Sequence, residues 1–125
     1  MSELITALKE IGVDTDAALG RMLQKEDMYR RFLTKFKADT SIDKLTYIME
    51  SGGYTDLSNR PEIFNLTHTI KGVAGNLGLT EIYESSGELC EMTRSDESDR
   101  SRFNENYTKL ILAYDKLRKV LDTYL

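Results

Sequence analysis

Apolar residues recur along the chain in steps of three and four, the spacing that lines one face of an α-helix. Leu4, Ile5, Leu8 and Ile11 form the first such set, which stops at Gly12. Asp14 or Thr15 can cap a second, short segment carrying Ala18, Leu19, Met22 and Leu23, since either side-chain oxygen can accept from a first-turn N–H. A third follows Asp27, with Tyr29, Phe32, Leu33 and Phe36 on one face. Ser41 opens a fourth, whose Ile42, Leu45, Ile48 and Met49 face inward, and Gly52-Gly53 closes it. The polar stretch Tyr54–Arg60 reads as a connecting loop.

The fifth segment begins near Asn59, with Pro61 in the first turn, where a missing N–H costs nothing, and runs to about Gly78. Thr80 then caps a sixth, to about Arg94, and Ser95–Arg100 makes a charged turn. The last helix has the clearest stripe: Phe103, Tyr107, Leu110, Ile111, Tyr114, Leu117, Leu121 and Tyr124. No stretch alternates with period two for long enough to be a strand. Helices joined by short loops predict an all-α protein, an antiparallel four-helix bundle with two short N-terminal helices packed on as extra pieces. Residues 1–125 are expected to form one domain.

Size is compatible with that picture. A chain of 125 residues buries roughly 65% of its unfolded surface, enough for one core without metal or disulfide support. The net charge of -4 argues against nucleic acid as the main partner, because phosphate backbones select basic surfaces. The single cysteine, Cys90, has no intramolecular partner, so a reducing, cytoplasmic setting is the simpler reading. One Cys with one His is an ordinary accident of composition and does not make Cys90 a nucleophile. The apolar runs are a few residues long against the ~20 needed to span a bilayer, and no signal peptide is visible. The expectation is a soluble monomer without membrane contact.

Drawn on a helical wheel, Ile63, Leu66, Thr67, Ile70, Val73, Ala74 and Leu77 cluster on one arc. His68, the only histidine, falls almost opposite, facing water in mid-helix. Gly72 and Gly75 share its face, and each mid-helix glycine costs about 1 kcal/mol relative to alanine. Glycine at i+4 removes the side chain that would otherwise crowd the ring. The result is an imidazole on a bare strip of backbone, with Lys71 at i+3 able to reach an anion held on it. Blander readings exist for each feature. A lone exposed histidine is usually only solvated, and glycines often mark helix ends or close packing. A phosphate-cradling loop is disfavoured because no strand precedes the glycines and neither dinucleotide nor P-loop pattern is present. A di-iron bundle would need two Glu-x-x-His pairs.

The string His68-Thr69-Ile70-Lys71-Gly72-Val73-Ala74-Gly75-Asn76-Leu77-Gly78 closely resembles the signature around the phosphorylated histidine of histidine-containing phosphotransfer (HPt) domains. Ile11-Gly12-Val13-Asp14 followed by Tyr29–Phe36 looks like the usual HPt beginning, and Leu79–Arg94 like the helix beside the histidine helix. Two features depart from the family: a long Tyr54–Arg60 loop, and Cys90 where some members place a polar residue near the phosphate. Arg94 is a candidate second cation, or equally a helix-end charge meeting the dipole.

The resemblance implies a phosphorelay intermediate. His68 would accept a phosphoryl group from a receiver-domain aspartate and pass it to another. A free imidazole, with a reference pKa of about 6.5, is largely unprotonated near neutral pH and needs no dedicated base. Lys71 would balance charge on the phosphoryl oxygens, with Gly72 and Gly75 giving access. The chain would carry no cofactor of its own, the Mg²⁺ belonging to the receiver. Its partners would be response-regulator receivers, a hybrid sensor histidine kinase, or both. With no recognisable ATP-binding element it would be a phosphocarrier rather than an enzyme. The competing reading is a phosphorylation-independent adaptor that binds a receiver. Met1 leading at once into the first helix slightly favours a standalone protein over a piece of a kinase.

Overall fold

The computed structural model describes residues 2–125, and seven α-helices account for most of them. They are α1 (Glu3–Glu10), α2 (Thr15–Arg21), α3 (Glu26–Ala38), α4 (Ser41–Glu50), α5 (Arg60–Asn76), α6 (Thr80–Arg94) and α7 (Arg100–Tyr124). No strand occurs among the described residues. No helix among them is long and apolar enough to cross a membrane.

Several helix starts are set by side chains that satisfy first-turn N–H groups. Ser2 accepts from the Ile5 N–H at 3.2 Å, Asp14 from Ala17 at 3.0 Å and Asp99 from Arg102 at 3.0 Å. The Ser2 hydroxyl also donates to the Glu26 carboxylate at 2.6 Å, tying α1 to the start of α3. Thr80, expected as a cap, is instead the first residue of α6, and its hydroxyl points back at the Gly78 carbonyl. Between α3 and α4 the chain is extended at Asp39, whose carboxylate accepts from the Ser41 N–H at 2.7 Å.

Helix ends identify the legs of the bundle. Arg30 on α3 reaches the Tyr124 carbonyl at 3.3 Å, and Lys37 pairs with Asp122 at 2.9 Å, so α3 lies along the end of α7. At the opposite end of α7 the Phe103 ring stacks on Tyr54, just beyond α4, with centroids 4.0 Å apart. Thus α3 and α4 in succession make one leg, antiparallel to α7. Lys116 meets Glu81 and Arg102 meets Glu88, which sets α7 antiparallel to α6. The four legs are α3–α4, α5, α6 and α7, with α1 and α2 packed outside them, as the periodicity predicts. Tyr29, Leu33, Leu45, Ile63, Leu89, Phe103, Leu110 and Leu117 fill the centre.

Three features differ from the sequence expectation. Tyr54–Arg60 is not a polar loop but holds two single-turn 3₁₀ helices, Gly53–Thr55 and Leu57–Asn59. Tyr54 is buried there, its hydroxyl 3.1 Å from the Met92 carbonyl and 2.5 Å from that of Glu97, with the Arg60 guanidinium 3.9 Å from its ring centre. Leu23 follows α2 at φ 56° and is exposed rather than inward. Phe32 and Val73, assigned to inner faces by their spacing, are 40% and 37% exposed.

The end of α5 is anchored more firmly than a helix terminus needs. The hydroxyl of Tyr29, itself fully buried, donates to the Leu77 carbonyl at 2.8 Å. Burial, and behind it the Asp14 carboxylate, pushes that phenol's ionisation well above its usual value, so it stays a donor. The Asp14 N–H donates to the Gly78 carbonyl at 2.8 Å. Gly78 has φ +70°, and a methyl group on it would lie 2.2 Å from the Asp14 carbonyl oxygen, so only glycine fits.

Candidate functional site

Beyond that anchor, α5 buries one face and leaves the other exposed. α5 is antiparallel to α6 in a register that sets Gly75 against Tyr83 and Lys71 against Gly87. Continued by one turn, the same register brings Cys90 opposite His68. His68 is exposed in mid-helix, while Ile63, Thr67, Ile70 and Ala74 of the same helix are buried. The Thr67 hydroxyl donates to the Ile63 carbonyl at 2.8 Å, so the one polar residue on the inner arc is satisfied within the helix.

The imidazole is not isolated. Its ring stacks with that of Phe64, one turn earlier, with centroids 5.9 Å apart and planes 9° from parallel. Phe64 was missed by reasoning from the apolar arc, on whose flank it lies. The signal was available as an aromatic residue at i−4, since residues four apart on a helix are neighbours.

The two glycines of the motif do different things. No heavy atom beyond the adjacent backbone lies within 4 Å of where a methyl group on Gly72 would sit, so that position opens directly to solvent beside His68. A methyl group on Gly75 would sit 3.2 Å from two carbons of the Tyr83 ring. Gly75 therefore makes room for packing between α5 and α6, a second use for a glycine on the His68 face.

The candidate cations also differ. Lys71 crosses to α6 over Gly87 and brings its ammonium 5.7 Å from the centre of the Tyr83 ring. No described residue forms an ion pair with it. Arg94 ends α6 and is held by Glu91 through two contacts, one from Nε to Oε2 at 2.8 Å. That hydrogen bond, against a little desolvation and with help from the charges of Arg94 and Lys71, holds the Glu91 carboxyl below the usual carboxylate range. Arg94 lines the same shallow surface as Phe64 and Asn65, about a turn before His68, so it reaches the site's edge with its charge already partnered. Cys90 is buried, so its thiol is not on the exposed face with the imidazole.

On the other flank of α5, Met28, Phe32, Phe36, Val73 and Leu77 line an apolar groove between α3 and α5. Two of its apolar members, Phe32 and Val73, are exposed although their spacing places them inside.

A protein-family model described as Hpt domain matches residues 27–120, from the first turn of α3 to near the end of α7, including the whole His68 motif. No curated protein and no solved structure matches the chain.

Proposed function

The chain belongs to the Hpt domain family, whose members are phosphocarrier modules that meet receiver domains in two-component signalling, and on that premise we propose that His68 accepts a phosphoryl group from a receiver aspartate and passes it to a second. In the accepting step the lone pair of a neutral imidazole nitrogen forms the N–P bond. The P–O bond to the aspartate breaks, and its electron pair leaves with the carboxylate. The proton on the other ring nitrogen takes no part. Mg²⁺ on the receiver would neutralise the oxygens during transfer, so this chain would supply position and one or two cations.

The observation that carries the reading is the exposed imidazole beside Gly72, where a methyl group would meet nothing within 4 Å, together with a Lys71 ammonium that forms no ion pair among the described residues. The apolar groove of Phe32 and Val73 would seat a receiver next to that face, whether the receiver stands alone or within a hybrid sensor kinase. Arg94 would join Lys71 through the N–H donors that Glu91 leaves free, with its charge already partnered.

The test is incubation with a panel of receivers phosphorylated by acetyl phosphate, followed by chemical mapping of the label. Acid-labile, alkali-stable phosphate on the wild type and none on His68→Gln is the expected result. His68 faces solvent, so that substitution should shift stability by less than ~0.5 kcal/mol. Undiminished acceptance by His68→Gln would sink the assignment. Tight receiver binding with no transfer from any receiver would favour the adaptor reading instead.

A further inference from the structure

Lys71 meets an aromatic face on α6 rather than an opposite charge. Its stem passes over Gly87, where a methyl group would lie 3.5 Å from Cδ and Cε. Its ammonium stands 5.7 Å from the centre of the Tyr83 ring. That ring rests against Gly75, where any side chain would press on it. Tyr83 is 42% exposed, so core burial does not account for an aromatic residue here. Two glycines thus frame one contact, one under the lysine stem and one under the ring.

We propose that Tyr83 is a positioning residue for phosphotransfer, holding the Lys71 ammonium on the α6 side of the His68 face with its charge and its three N–H donors uncommitted. The inference rests on His68 being the phosphoryl acceptor. A carboxylate could hold Lys71 as well, but it would cancel the charge and compete with the phosphoryl oxygens for the same donors. A ring attracts the cation through its quadrupole and offers no lone pair in the plane of those donors. It also restricts a side chain that otherwise loses much rotamer freedom when it engages an anion. Without the ring, Lys71 is free to turn toward Glu91, which already feels its charge.

The alternative is that Tyr83 only covers Gly75, and the two accounts separate in one set of measurements. Single-turnover transfer from a receiver phosphorylated by acetyl phosphate would be compared for wild type, Tyr83→Leu, Tyr83→Phe, Lys71→Met and the Lys71→Met/Tyr83→Leu pair. The Lys71 ε-methylene proton shifts would be read by NMR in those proteins that keep Lys71. An exposed cation–π contact corresponds to a rate loss of about two- to fivefold, which Tyr83→Leu should show and Tyr83→Phe should rescue. In the Lys71→Met background Tyr83→Leu should cost nothing further, because the contact it removes is already gone. The ε-methylene protons should be ring-shifted upfield in wild type and Tyr83→Phe and relax toward free-lysine values in Tyr83→Leu. Wild-type transfer by Tyr83→Leu, or the same loss with and without Lys71, would overturn the role of Tyr83 while leaving His68 as acceptor. A wild type that accepts nothing from any receiver would overturn the acceptor reading, and this inference with it.

Discussion

Replacing Gly72 with alanine should make the protein more stable and a worse phosphoryl acceptor. Gly72 lies inside α5 with ordinary helical geometry, so alanine relieves the backbone entropy that glycine loses on folding, worth up to ~1 kcal/mol. No steric term opposes this gain, since the new methyl group would meet no heavy atom within 4 Å. For a domain of this size ~1 kcal/mol corresponds to a rise in Tm of roughly 4 °C. The same methyl group stands one turn from His68 on the face that a receiver would close over under the proposed function. Displacing the reacting atoms by a fraction of an ångström to about 1 Å can cost on the order of 10- to 100-fold in rate. Thermal unfolding and single-turnover transfer on the same preparation measure both effects. Gly75→Ala is the internal control: its methyl group would press on Tyr83 at 3.2 Å, so the ring must shift and the stability gain should be smaller. A lowered Tm for Gly72→Ala would mean that the glycine serves packing. A raised Tm with undiminished transfer would defeat the access argument.

Lys71→Ala should slow transfer by about 10-fold or more while changing receiver affinity much less, because a charge-assisted hydrogen bond of ~1.5–3 kcal/mol is needed mainly when the phosphoryl group is at the ring. Equal losses in single-turnover rate and in Kd by calorimetry would make it a docking contact. Tyr29→Phe strips the Leu77 carbonyl of a buried donor at 2.8 Å and should cost about 1–3 kcal/mol in urea unfolding, with transfer unaffected well below the midpoint. A cost under ~0.5 kcal/mol would show that this anchor of α5 contributes little.

What the sequence determined by itself is whatever one helix decides alone. The period of the apolar residues marks all seven helices, and turn chemistry places their ends to within a few residues, as at Asp14, Ser41 and Pro61. The histidine's outward direction follows from the same period, since an arc of Ile63, Thr67, Ile70 and Ala74 leaves only one side for His68. The family signature is likewise a local string, and the family match over residues 27–120 contains it. Only the tertiary structure decided what lies at the flanks of each arc, because a flank is buried or exposed according to where the neighbouring helix stands. Phe32 and Val73 face a groove that α3 and α5 do not close, although their spacing is that of core residues. Tyr54 looks polar in sequence and becomes core because the end of α6 and the start of α7 meet over it. Gly72 and Gly75 are equivalent on a wheel, yet one opens to solvent and the other meets Tyr83, a difference set entirely by the register of α5 against α6.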